Sequence, residues 1–185
     1  MTSIRNLAGM ALLLALAGCA TLSETDCARG DWHRIGLEDG RYGYSAERLS
    51  HHDKACAKHG FGVDARAYHA GHATGLRQFC VPARAFSMGR KGETYQHQCP
   101  RDTEAAFMPA YHHGRDVYGV EQELERLKKE LDELRAEIDD ENTGKTAREI
   151  AEQRLRYVSN DRNRRERDRD ALLERARRLG YDNAW

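Results

Sequence analysis

Three hydrophobic patterns follow one another along the chain. Leu7 to Leu16 is a nearly unbroken apolar run. From Asp31 to about residue 116, aromatic, apolar and glycine positions recur at spacings of three and four in short segments. Beyond that, Val117, Val120, Leu124, Leu127, Leu131, Leu134 and Ile138 alternate steps of 3 and 4 without a break, which predicts a three-heptad coiled-coil seam on one helix.

The middle pattern predicts several short elements. Asp31 to Gly43 reads as a helix with Trp32, Gly36 and Gly40 on one face. Ser45 to His59 reads as a second, with Ser45 as N-cap and Gly60 as the stop. Asp64 caps a third that runs to Phe79 and carries Tyr68, Gly71 and Gly75 on one stripe, with His72 beside it. Between Val81 and Gln98 the period shortens: Phe86 and Met88 alternate, and Gly89 and Gly92 flank Arg90-Lys91. This predicts a short β-hairpin clasped by Cys80 and Cys99.

The C-terminal pattern predicts an antiparallel helical hairpin. Asn142-Thr143-Gly144 interrupts the seam, and Thr146-x2-Glu149 has the form of a capping box opening a second helix that ends before Gly180. In that helix Ala151, Leu155 and Val158 carry a seam that Arg162, Arg165 and Arg169 interrupt and Leu172, Ala176 and Leu179 resume. Folding back at Gly144 sets residues 162–169 opposite 118–125, where Glu121, Glu123 and Glu125 lie. Residues 121–141 have a net charge of −6 and residues 145–178 of +5, so charge selects the same register. The rival is an intermolecular coiled coil that makes a homo-oligomer through this arm; the short connector favours the hairpin.

Composition narrows the class. Leu, Ile, Val and Phe total 30 of 185 residues, a thin core, but 30 basic residues balance 30 acidic ones, which argues against a chain kept unfolded by its own charge. The same balance gives no electrostatic case for a nucleic-acid partner.

The N-terminus predicts the compartment. Arg5, the ten-residue apolar run and Leu16-Ala17-Gly18-Cys19 fit a secretory signal over residues 1–18, too short to cross a bilayer core of about 30 Å. The Leu-Ala-Gly-Cys order looks like a bacterial lipobox. It makes Cys19 the expected lipidation site, residues 19–26 an anchor and tether, and the periplasmic face of the bacterial outer membrane the expected location, since Ala20 rather than Asp follows the cysteine.

In that oxidising space Cys27, Cys56, Cys80 and Cys99 remain, and four cysteines allow three pairings. Cys27 with Cys56 and Cys80 with Cys99 are preferred, because each closes a loop of about 20 to 30 residues and stabilises by roughly 3 kcal/mol. A tetrathiolate zinc site would want a C-x2-C pair, and there is none.

Candidate chemistry is sparse. Among nine histidines, His69 and His72 stand about one helical turn apart and are the possible metal ligands, though no acid or cysteine is spaced to complete a site. Asp31 and Asp39 flank Trp32 closely enough in sequence to suggest a carboxylate pair for cell-wall cleavage; a simpler role is to cap or hydrogen-bond the nearby backbone. Motifs of zinc proteases, serine hydrolases and phosphate loops are absent from the sequence. The recurrence of an aromatic followed by spaced glycines, at Trp32/Gly36/Gly40, Tyr68/Gly71/Gly75 and Tyr111/Gly114, reads as close helix packing, with a glycine-floored ligand groove as the alternative.

These positions taken together resemble a known family. Asp31-Trp32-x3-Gly36-x2-Asp39-Gly40, Cys56, Tyr68-x2-Gly71-x3-Gly75-Leu76-x3-Cys80, Phe86-x2-Gly89-x2-Gly92-x2-Tyr95-x3-Cys99-Pro100 and Phe107-x3-Tyr111-x2-Gly114 are similar to the bacterial envelope proteins called domain of unknown function 2799. The resemblance covers roughly residues 27–120 and implies a small exported or lipid-anchored module. It carries no assigned activity and transfers no functional residue.

The expectation is therefore a mainly α protein. Residues 27–116 form a small disulfide-stapled helical module with a short β-hairpin, and residues 117–185 form a long helical hairpin. Its expected function is structural or partner-binding in the envelope, without a cofactor. A metal-binding role through the histidine-rich helices and a cell-wall-modifying enzyme using Asp31 and Asp39 are the alternatives.

Overall fold

The structure is a computed structural model that describes residues 21–181. Seven helices follow in order: α1 (Glu24–Arg29), α2 (Trp32–Tyr42), α3 (Arg48–Ala57), α4 (Ala65–Phe79), α5 (Pro82–Arg90), α6 (Arg101–Asp139) and α7 (Lys145–Arg178). No strand occurs among the described residues.

The expected β-hairpin over residues 81–98 is replaced by α5 and a following loop. Pro82 stands at the start of α5, where its missing N–H costs nothing. Ala85, Phe86 and Gly89 then share one buried helical face, and Met88, two residues beyond Phe86 and about 200° around the helix, is buried as well, so the alternation comes from a helix covered on more than one side and not from a strand period. Smaller differences concern ends. The Ser45 hydroxyl accepts from Glu47 N–H in a turn, and α3 begins only at Arg48. The start of α7 at Lys145 has no side-chain cap. Residues 24–29, read in part as tether, form α1. Ser23 and Asp26 make a reciprocal capping box there, and Cys27 is buried in a disulfide. The lipidation site Cys19 lies outside the described residues.

Two helix pairs are built on one plan. α2 crosses α4 where Gly36 and Gly40 face Gly71 and Gly75: a Cβ on Gly40 would fall 2.3 Å from the His72 carbonyl oxygen, and one on Gly75 2.2 Å from that of Leu37. α5 crosses α6 in the same way, with Gly89 placed 2.1 Å from the Tyr111 oxygen and Gly114 2.2 Å from the Phe86 oxygen on the same test. The turns after α2 and α5 also match. Gly43 N–H donates to Gly40 O and Tyr44 N–H to Asp39 O; Gly92 N–H donates to Gly89 O and Glu93 N–H to Met88 O, all at 3.0 Å. Gly43 and Gly92 take positive φ of 76° and 73°, a conformation other residues seldom adopt. Each turn is then held from the second helix: His72 Nε2–H donates to Tyr44 O, and Tyr111 Oη–H to Glu93 O, both at 2.8 Å.

A disulfide clasps each unit, Cys27–Cys56 in the first and Cys80–Cys99 in the second. This is the pairing preferred from loop length. The units meet where Phe79 stacks on Phe107, with ring centroids 6.0 Å apart.

α6 passes from the second unit into the arm without interruption and, at 39 residues, is about 58 Å long. Pro109 is tolerated inside it because both Pro109 and Ala105, whose carbonyl loses its usual donor, face solvent. α7 returns antiparallel. Leu127, Leu131, Leu134 and Ile138 pack on Ala151, Leu155 and Val158 at the tip, and Leu172, Leu173 and Ala176 pack into the core of the second unit.

Candidate functional site

The deepest polar cluster lies in the first unit. Asp39 sits between Gly36 and Gly40 on the face of α2 that packs inward, so its carboxylate needs partners there. Tyr68 Oη–H from α4 and His52 Nε2 from α3 both reach its Oδ2 at 2.8 Å. Arg48 Nε lies 3.1 Å from Oδ1 and its guanidinium covers the Tyr44 ring at 3.9 Å. His52 Nδ1 shares a hydrogen bond with Thr21 Oγ1 at 2.8 Å. Burial works against ionisation of Asp39, but the hydrogen bonds from His52 and Tyr68, with Arg48 adding, outweigh it and hold the carboxyl below its usual value. Burial, reinforced by the Asp39 carboxylate, raises the Tyr68 phenol, so it remains a donor.

Corresponding positions of the second unit are apolar or aromatic. Met88 stands where Asp39 does in the turn hydrogen bonds, and Phe107 precedes Ala110 and Gly114 as Tyr68 precedes Gly71 and Gly75. Tyr95 packs on Phe107 at 4.7 Å, four residues before its cysteine, as His52 is before Cys56. The second unit carries its own acid–imidazole–phenol contact at a different, more exposed place: Tyr95 Oη–H donates to Glu104 Oε1 at 2.9 Å, and His97 Nδ1 lies 3.0 Å from the same oxygen. Tyr68 and His52 are 0 % and 1 % exposed. The cluster ties α3 and the segment at Thr21 to α2 and α4.

The sequence-derived candidates are dispersed. Asp31 is exposed and caps α2 through Arg34 N–H, about 12 Å along the helix from Asp39 at eight residues' rise, beyond the spacing a carboxylate pair needs. Asp39 itself binds side chains rather than the glycine-rich backbone. His69 is exposed, whereas His72 is buried with Nε2 committed to the Tyr44 carbonyl and its ring stacked on Tyr68. The two imidazoles diverge, and among the described residues no group of three or more His, Cys, Asp or Glu side chains converges to hold a metal ion. No helix among the described residues is long and apolar enough to cross a membrane.

One open cleft, of about 460 Å³, separates the two units. Glu38, Arg41 and Tyr42 of α2, Gln78 and Phe79 of α4, and Arg84 of α5 line it. Sequence reasoning missed this cleft because its walls come from two units whose docking no local pattern specifies. It also missed His52, Tyr68 and Arg48 as partners of Asp39, although an acid flanked by glycines on a buried face was the available signal.

No curated protein and no solved structure matches the chain. The model of one family, described as a protein of unknown function (DUF2799), matches residues 31–116, the stretch that holds α2 to α5, both glycine crossings and the first turns of α6. Over that segment, residues 31–116 of 185, the chain matches the DUF2799 family.

Proposed function

We propose that this protein is a lipoprotein anchored through Cys19 to the bacterial outer membrane, facing the periplasm, and that it serves as a structural or partner-binding component of the envelope. The lipobox-like Leu16-Ala17-Gly18-Cys19 supports the anchor. The observation that carries the binding role is the arm: beyond its own buried seam, α7 leaves Ile150 61 % and Tyr157 73 % exposed. Seven residues apart, they lie on one helical face. Large apolar side chains aligned on a projecting helix fit a protein partner.

Two measurements test this. Metabolic labelling with a palmitate analogue should mark the wild-type chain and not Cys19→Ser, and the variant should leave the membrane fraction. Photo-crosslinkers at positions 150 and 157 in intact envelopes should yield one discrete adduct that a crosslinker at position 133, on exposed α6 surface, does not. An adduct of twice the chain mass identifies the partner as a second copy. Labelling that survives Cys19→Ser, or the same adduct pattern from all three positions, sinks the reading.

A further inference from the structure

The repeat supplies an internal comparison for the cleft. In the second unit Arg90, at the end of α5, occupies the place that Arg41 has in α2: its backbone N lies 2.8 Å from a Cβ built on Gly114, as that of Arg41 lies 2.7 Å from one built on Gly75. Arg90 is neutralised by Glu121 Oε1 at 2.9 Å, a carboxylate delivered because α6 continues past Tyr118. In the first unit α4 stops at Phe79, the residue that meets Gly43 as Tyr118 meets Gly92. The chain then turns away through Cys80 into α5. Arg41 is left facing the cleft without that carboxylate, and the turn brings in a second cation, Arg84.

No described acid lies within ion-pairing distance of Arg41 or Arg84. Glu38, the sole acid among the described lining residues, is engaged by Arg34 at 2.8 Å. Arg84 Nε is shielded from solvent and has no hydrogen-bond partner among the described residues, while its guanidinium stands 5.5 Å over the Phe79 ring. A guanidinium with no acid beside it can pair bidentately with an incoming carboxylate. Tyr42 and Phe79 give the cleft aromatic walls, and Gln78 adds a polar group.

We propose that this cleft binds a carboxylate-bearing small molecule with an apolar or aromatic body. Arg41 and Arg84 engage its carboxylate, which takes the place Glu121 holds in the second unit, and Tyr42 and Phe79 flank its body. This reading is independent of the membrane anchor and of the arm.

Isothermal titration of the purified full chain with benzoate tests it, with benzamide as the neutral isostere and inorganic phosphate as the competing anion class. Benzoate should bind saturably at one site, and benzamide and phosphate at least about tenfold more weakly, since benzamide lacks the charge that the guanidinium forks pair with and phosphate lacks the aromatic body that Tyr42 and Phe79 flank. Arg41→Gln and Arg84→Gln should each weaken benzoate about tenfold, whereas Arg90→Gln should not. Gln78→Glu, which places a carboxylate inside the cleft, should block binding and leave the thermal unfolding midpoint of the protein in place. An absence of saturable binding, equal binding of benzamide or of phosphate, or retention of affinity in the Arg41→Gln, Arg84→Gln double variant would overturn the assignment.

Discussion

Single residues decide how closely the helices approach. A Cβ on Gly71 would sit 1.9 Å from the His33 carbonyl oxygen and 2.9 Å from Leu37 N. Both are backbone atoms, so the helices themselves must part. Gly71→Ala should therefore destabilise the protein by about 3 kcal/mol in urea titrations. Gly119 lies within α6 with nothing inside 4 Å of a built Cβ, so Gly119→Ala should stabilise by up to about 1 kcal/mol. Asp39 makes a third prediction. Its folded-state pKa is held below the usual value of 3.8, so its contribution to stability is present above that pH and is lost as pH falls through the lowered folded value. Asp39→Asn leaves Arg48 and His52 without their anion and should cost about 3 kcal/mol at neutral pH. Denaturant titrations between pH 2 and 7 should show a shallower acid loss in the variant than in the wild type.

Elements differ in what holds them. α2 and α4 adhere by glycine contact and a buried polar network, and a disulfide bounds the connection. The arm tip relies on its seam alone, because cross-helix charge adds little. Arg154 reaches Glu130 at 2.8 Å, but Arg162, Arg165 and Arg169 pair with Glu166, Asp168 and Asp170 on their own helix. The acidic stretch of α6 remains their electrostatic background: Glu121 acts on Arg169 and Arg165 on Glu123, the register charge predicted. Exposed pairs of this kind are worth about 0 to 1 kcal/mol each. Leu131→Ala should accordingly cost about 3 kcal/mol and act locally. Hydrogen exchange should accelerate over residues 127–158 while amides of α2 and α4 keep their protection.

At the scale of the whole molecule, the arm is tied into the module at its base. Leu172, Leu173, Ala176 and Tyr181 pack against the cluster that contains Phe86, Phe107 and Val117, and His113 Nε2–H donates to the Leu172 carbonyl at 2.9 Å. A chain ending at residue 170 uncovers that cluster. A chain lacking residues 127–158, closed by a short glycine-rich turn, keeps it covered. Thermal unfolding should show the first truncation losing its cooperative transition and the second retaining it. The reverse order would mean that α7 is not part of the core of the second unit.

The sequence by itself determined the elements whose information is local. Asp31 and Asp64 cap helices because a short acceptor meets unpaired N–H groups at a helix start, and the unbroken 3–4 spacing from Val117 to Ile138 has no other economical reading than a long helix with one buried stripe. The disulfide pairing was favoured by loop length, and the glycine stripes announced close approach. Tertiary structure alone decided the rest. Residues 82–90 became a helix because α6 offers Gly114 to Gly89, which no two-residue alternation can report. Asp39 found His52 and Tyr68 across 13 and 29 residues of chain. The duplicated plan was hidden because Ala85 and Ala110, both fully buried, stand where the first unit has glycines. The cleft exists only where two units meet and one helix ends sooner than its counterpart. Sequence pattern fixes which side chains share a face; it does not fix which faces meet, because that is set by backbone contact and burial summed over the whole chain.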